Sequence, residues 1–202
     1  MIKAVLFDLD GTIADTAPDL GYALNRQLAL HGRQPILSEQ IRTETSNGAR
    51  GLLKLGFGIA PNDSEYEMMR EEFLALYAEN LCKETQLFSG ISEILSELEA
   101  RLIPWGIVTN KPSRFTVPLL QALELKQRAA VIISGDDTAH NKPHPEPLLA
   151  ACLKINIQPQ NCLYLGDDLR DVQASRAASI MPIIAGYGYL GNHSRPDTWG
   201  AD

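Results

Sequence analysis

Cysteine is scarce in this 202-residue chain: Cys82, Cys152 and Cys162 are the only three, an odd number with no CxxC spacing. Three thiols cannot close a disulfide framework, and their spacing offers no zinc site. They are expected as small buried thiols in a reducing compartment. Basic residues are also in deficit, with 18 Lys and Arg against 25 Asp and Glu and a formal net charge of −7. Such a chain repels phosphate backbones and anionic lipid, so no nucleic-acid or membrane partner is expected. No segment approaches the ~18 consecutive apolar residues of a membrane span. The opening MIKAVLFDLDGT is not a signal peptide, because Asp8 and Asp10 interrupt its short apolar run. Repeats and low-complexity tracts are missing too. These absences leave a soluble, cytoplasmic globular protein as the expectation.

Hydrophobic residues make up 45% of the chain and charged residues 21%, the balance of an ordinary folded protein. The length slightly exceeds one average domain of ~150 residues, enough for a full core plus an insertion. Five short apolar runs have the length of buried strands: Ala4–Phe7, Trp105–Val108, Ala130–Ile133, Leu163–Leu165 and Pro182–Ala185. They are continuous rather than alternating, as when helices cover both faces of a parallel sheet. Helical spacing recurs between them, at Ile91, Ile94, Leu95 and Leu98 and at Leu148, Leu149, Cys152 and Leu153. Strands alternating with helices argue for an open, doubly wound α/β fold.

About a hundred residues separate the first strand from the second, far more than one crossover helix needs. Within that gap, the stretch from roughly Ala17 to Thr85 reads as helices only. Leu20, Ala23, Leu24 and Leu28 form one apolar stripe, and Met69, Phe73, Leu76 and Tyr77 another, the second behind a capping-box signature at Ser64 and Glu67. The expected organisation is a helical module, residues 16–85, inserted into an α/β core of residues 1–15 and 86–202.

The predicted strands end in chemically active residues. The first runs into Asp8-Leu9-Asp10-Gly11-Thr12, the second into Thr109-Asn110-Lys111, and the fourth into Gly166-Asp167-Asp168 with Asp171 beyond. Lys142 lies in the loop after the third. Open α/β sheets bind ligands outside the carboxyl ends of their strands, so these groups should converge on one crevice. Clustered carboxylates repel unless a cation sits among them. Oxygen-only ligands suit Mg²⁺, and a hydroxyl and a lysine would complete a pocket for a phosphoryl group.

Each feature alone has a plainer explanation. Asp10-Gly11 favours a hairpin turn, Thr109 and Lys111-Pro112 could form an ordinary loop, and Lys142 a solvated surface charge. Asp167, Asp168 and Asp171 could serve a helix N-terminus. Gly135-Asp136-Asp137 duplicates the acidic motif, so spacing alone does not choose between them. Gly186-Tyr187-Gly188-Tyr189-Leu190-Gly191 matches G-x-G-x-x-G, but Pro196 follows where a dinucleotide site needs a helix, so it reads as a glycine-rich loop. The four histidines, His31, His140, His144 and His193, form no HxxH or HExxH motif and are not expected to bind metal.

Taken together and in this order, Asp8-x-Asp10-Gly11-Thr12, Thr109, Lys142 and Gly166-Asp167-Asp168-x-x-Asp171 resemble the four-motif signature of the haloacid dehalogenase superfamily. The helical insertion resembles the cap of its phosphoglycolate phosphatase branch. The segments Asn47-Gly48-Ala49-Arg50, Tyr187-Gly188-Tyr189 and Trp199-Gly200-Ala201-Asp202 also look similar to N-acetylmuramic acid 6-phosphate phosphatases. The resemblance implies a Rossmann-like core and hydrolysis of a small phosphorylated acid or sugar, as a monomer or homodimer. Asp8 would be the nucleophile, forming an aspartyl-phosphate, and Asp10 the general acid and base. Mg²⁺ would be held by Asp8, the Asp10 carbonyl and Asp167, supported by Asp168 and Asp171. Gly11, Thr12, Thr109, Asn110 and Lys142 would surround the phosphate, and Arg50 would face a substrate carboxylate. The likeness selects Asp167 over Asp136. It also implies a further strand and helix beyond Trp199-Gly200-Ala201-Asp202, so a shortened sheet edge is expected.

Two other readings use the same residues. A sugar phosphomutase would share every catalytic group but return the phosphoryl group to a hydroxyl. A receiver-like signalling domain would accept phosphate once without turnover, but its acid pair comes first and its acceptor Asp lies on a middle strand, unlike the order here.

Overall fold

The computed structural model describes residues 1–191 and 195–201; His193 and Asp202 lie outside the described residues. In chain order the elements are β1 (Ala4–Phe7), β2 (Ala14–Asp15), α1 (Ala17–Leu30), α2 (Ser38–Glu44), α3 (Gly48–Phe57), α4 (Tyr66–Glu79), β3 (Gln86–Leu87), α5 (Ile91–Ala100) and β4 (Trp105–Val108). They continue with α6 (Ser113–Ala122), β5 (Val131–Ile133), α7 (Glu146–Lys154), β6 (Cys162–Gly166), α8 (Leu169–Ala177) and β7 (Met181–Ile184). Five strands form one parallel sheet in the order β5-β4-β1-β6-β7. β1 lies at the centre, between β4 and β6. Leu6 pairs with Gly106 of β4 and Tyr164 of β6 and is fully buried, as are Ala4 and Tyr164. Burial on both faces is why these runs do not alternate.

All five expected strands form, each within a residue at either end. The flanking helices are less buried than their spacing suggests. Ile94, Leu149 and Leu153 are exposed, while Ile91, Leu95, Leu148 and Cys152 reach the core. The apolar pattern there is wider than the buried stripe.

The inserted helices α1 to α4 pack around their own cluster, built on Leu20, Leu24, Leu28, Leu52, Phe73 and Tyr77. Phe115 of α6 joins it, its ring 5.4 Å from that of Tyr77. The expected capping box is not made: α4 starts at Tyr66, and Glu65 at its N-cap makes no side-chain bond. Instead the Asp63 carboxylate accepts the Ala60 N–H, and its carbonyl accepts the Tyr66 N–H, closing the preceding turn. Between core and helices lies a two-residue antiparallel ribbon, β2 with β3. It makes Asp10-Gly11 part of a flap after β1 and lies just outside the stretch from Ala17 to Thr85 that reads as helices only. Cys152 and Cys162 are buried free thiols, but Cys82 is only partly so.

Candidate active site

Asp8 follows β1, Thr109 follows β4 and Asp167 follows β6, all at the carboxyl edge of the sheet, and Lys142 comes from the β5–α7 loop. Carboxylate oxygens of Asp8, Asp167 and Asp171 lie within 4.8 Å of one another. The buried Lys142 ammonium sits among them, with Nζ 2.9 Å from Asp8 Oδ1 and 2.8 Å from Asp171 Oδ1. It also donates to the Val108 carbonyl (3.1 Å) and the Tyr164 hydroxyl (2.7 Å). Burial alone would lower the Lys142 pKa, but Asp171 and Asp8 carry it up to about 12.

The acids move the other way. Burial pushes Asp8 up to about 7 despite Lys142. Burial, then the Asp8 and Asp171 charges, push Asp167 up to about 8. Asp8 Oδ1 is buried and, although in ion-pair range of Lys142, makes no aligned hydrogen bond. Asp8 and Asp167 bring two crowded carboxylates together, a donor set of oxygen alone with negative charge that the single Lys142 cation, shared with Asp171, does not fully offset. Such a set fits a hard divalent cation. Asp171 is engaged at both oxygens, Oδ1 by Lys142 and Oδ2 by the Asp168 N–H.

Both raised acids bind protons more tightly folded than unfolded. Their stabilising contribution is therefore present below the ordinary carboxylate range and lost as pH rises through about 7 to 8. Metal-free protein should lose thermal stability from about pH 6 to about pH 8.5, and Mg²⁺ should restore more at the upper end. Thermal melts across that range check this; Mg²⁺ stabilisation that shrinks with rising pH would contradict it.

Asp10 lies on the other side of the crevice. Its Oδ1 accepts from the Thr16 hydroxyl (2.5 Å) and from Lys111 Nζ (2.9 Å). Lys111 is buried over the Tyr77 ring, 4.7 Å from its centroid, which joins this acid to the helical module. Thr109 is buried at the crevice floor, its Oγ1 accepting the Lys111 N–H.

Other expected residues also hold the site together, and of these Asn110 and Asp168 line the cavity as well. Thr12 is fully buried and donates to Asp167 Oδ1 (3.2 Å), so its side chain is not open to a substrate. Gly11 has φ +82°, and a Cβ there would stand 2.1 Å from Asp167 Oδ2, which only glycine permits. Asn110 uses both ends of its amide on the Lys142 backbone, donating to its carbonyl and accepting its N–H. Asp168 is the N-cap of α8 in a capping box with Asp171, and it forms a two-pronged pair with Arg170. Burial opposes its ionisation, yet Arg170 holds the carboxyl below the usual range. The plain helix-capping explanation is thus true of Asp168. Asp136, in the duplicate motif, accepts the Ser113 N–H and hydroxyl at the start of α6.

Several participants lie outside the expected set of site residues. The Tyr189 N–H donates to Asp167 Oδ2 (2.8 Å), the Tyr189 hydroxyl reaches Asp15, and the Tyr187 hydroxyl reaches the Thr12 carbonyl. The glycine-rich loop is therefore a brace on the flap and Asp167. Its Gly188 brings the backbone so close that a Cβ would meet Asp167 Cβ at 2.4 Å. Ser46 donates to Asp167 Oδ2 (3.3 Å), and its carbonyl accepts from Arg170 (2.7 Å), docking the helical module on the acidic segment.

Between the two parts is a cavity of about 370 Å³. Asp8, Asp10, Thr109 and Lys142 line its floor. Arg50, Tyr66, Arg70, Phe73 and Tyr77 line its roof. Arg50 lies on α3, exposed and with no carboxylate partner among the described residues, whereas Arg70 pairs with Glu67 and Glu71.

The family model for haloacid dehalogenase-like hydrolases matches residues 5–185. An N-acetylmuramic acid 6-phosphate phosphatase of Pseudomonas aeruginosa is 40% identical over 201 residues, spanning 100% of this chain and 89% of its own length. A phosphoglycolate phosphatase of Xanthomonas campestris is 41% identical over 200 residues, 99% of this chain and 90% of the relative. A crystal structure described as a predicted phosphoglycolate phosphatase from Haemophilus somnus superposes with a TM-score of 0.87 at 26% identity. It covers 100% of this chain and 92% of its own.

Proposed function

The chain belongs to the haloacid dehalogenase-like hydrolases, and from that premise we propose that it hydrolyses a small phosphate monoester that also carries a carboxylate. N-acetylmuramic acid 6-phosphate is the substrate we favour, ahead of 2-phosphoglycolate. The observation that carries the reading is Asp8: a carboxylate lining the cavity, crowded by Asp167 and Asp171, with Lys142 Nζ 2.9 Å from its Oδ1.

Asp8 attacks phosphorus and forms an aspartyl-phosphate, replacing one displacement by two easier ones. Lys142 balances the charge as the phosphoryl group approaches a carboxylate. Thr109 donates its hydroxyl to a phosphoryl oxygen. Asp10 gives a proton to the leaving oxygen and then takes one from the attacking water. Its Oδ1 is already fixed by Thr16 and Lys111, which leaves Oδ2 for that exchange. Asp8, the Asp10 carbonyl and Asp167 would hold Mg²⁺, which supplies compensation for phosphoryl charge. Asp171, Asp168 and Asn110 position Lys142 and Asp167. The helical module covers the site and keeps bulk water from the intermediate.

Cavity size supports the sugar acid. About 370 Å³ falls in the range of sites that enclose drug-sized ligands and exceeds the need of a two-carbon ester. Arg50, the unpaired cation of the roof, supplies a partner for the carboxylate. Phosphate release with Mg²⁺ from the two esters, side by side, tests the reading. We expect the higher kcat/KM with N-acetylmuramic acid 6-phosphate, and release from neither ester would contradict the proposal.

Arg50→Ala should raise KM for the carboxylate-bearing ester by roughly tenfold or more, the worth of a charged hydrogen bond. It should leave p-nitrophenyl phosphate kinetics unchanged. An equal loss on both esters would remove Arg50 from carboxylate recognition.

A further inference from the structure

The loop that delivers Lys142 has a second face, turned away from the cavity. One ring nitrogen from each of His140 and His144 and a carboxylate oxygen of Glu146 lie there within 4.8 Å of one another. His140 and His144 stand four residues apart in the sequence but do not form an HExxH motif, and the third member is a glutamate at the start of α7. We propose that His140, His144 and Glu146 form a surface site for a borderline-soft divalent cation of the Zn²⁺ type, separate from the oxygen-only site at Asp8 and Asp167.

The spacing is close to what such an ion needs. His140 Nδ1 is 2.8 Å and His144 Nδ1 3.9 Å from Glu146 Oε2. Ligand atoms at tetrahedral zinc, with bonds of about 2.0–2.2 Å, stand roughly 3.3–3.5 Å apart, between those two values. The groups are also held before any ion arrives. Glu146 accepts the His140 N–H (3.1 Å), and the Thr138 hydroxyl donates to the His140 carbonyl (2.9 Å). Pro143, Pro145 and Pro147 restrict the backbone between and beside the ligands. The imidazoles stack with centroids 4.4 Å apart at 28°, so these exposed rings turn when their in-plane lone pairs meet on one ion. Side-chain exposures of 62% for His140 and 50% for His144 leave room for solvent at the remaining coordination position. The Glu146 N–H donates to His144 Nδ1 (3.2 Å), a contact that an ion binding that nitrogen displaces.

Ligand hardness separates the two sites. Mg²⁺ prefers carboxylate and water oxygen, while two imidazoles and a carboxylate select Zn²⁺, Co²⁺ or Ni²⁺. Lys142 lies between the two histidines, so an ion here would fasten the outer face of a loop that Asn110 already brackets from within.

Co²⁺ titrated into the full chain under excess Mg²⁺ tests the site through its visible absorption. We expect one equivalent bound with the strong bands of four-coordinate cobalt, and at least about tenfold weaker binding in His140→Ala and in His144→Ala. Zn²⁺ should raise the melting temperature of the Mg²⁺-loaded protein but not of His140→Ala. The His140→Ala variant should keep its phosphatase activity in Mg²⁺ alone. Absence of Co²⁺ binding, or bands that persist unchanged in both variants, would overturn the proposal. Neither result depends on the phosphatase reading.

Discussion

Asp8→Asn should abolish turnover, lowering kcat on the order of 10⁴-fold or more, as loss of a covalent nucleophile does. The same change should make the metal-free protein more stable at about pH 8.5. Asp8 is buried beside Asp167 and Asp171, and its ionisation is opposed by burial first and by the Asp171 charge as well. Asparagine removes that charge at nearly constant volume. Lys142 keeps its pair with Asp171 and its bonds to Tyr164 and Val108. Opposite signs for activity and stability mark a group kept for chemistry. Phosphate-release kinetics and thermal melts on one preparation read both, and a variant that is inactive because it unfolds would contradict this account.

Lys142→Met should be the most damaging single change to the fold of the site. Methionine is close in size, but it leaves Asp8 and Asp171 without their cation and the Tyr164 hydroxyl without its nitrogen partner. Removing one member of a buried ion pair typically costs about 3–5 kcal/mol. The loss should be greatest at high pH, where both carboxylates are charged, and smaller as acid neutralises Asp8. Denaturant unfolding of metal-free protein at about pH 6 and about pH 8.5 measures the difference. Equal destabilisation at the two pH values would mean that packing, not charge, holds Lys142 in place.

Much of the fold is legible in the sequence because its signal is local. A central parallel strand must be apolar on both faces, so Ala4–Phe7 and Trp105–Val108 stand out as continuous runs that end where the sheet meets the crevice. Asp8, Thr109 and Asp167 are visible for the same reason, each lying one residue beyond a strand. The β2–β3 ribbon leaves no such trace, since two residues per strand cannot build a pattern and its partners are remote in sequence. Lys111 resembles a loop lysine until the fold brings Asp10 and Tyr77 to it. Tyr189 acts on Asp167 and Asp15 from the far end of the chain. Thr12 shows the limit of motif reasoning: its place beside Asp10 is clear, but only the backbone turn at Gly11 determines that the hydroxyl meets Asp167 instead of the cavity.

The central claim is that hydrolysis passes through Asp8. Stereochemistry at phosphorus tests it most directly, using a substrate whose phosphoryl oxygens are isotopically chiral and hydrolysis in labelled water. Two in-line displacements, first by Asp8 and then by water, predict net retention of configuration. Inversion would mean that water attacks the ester in a single step, and it would contradict the role assigned to Asp8.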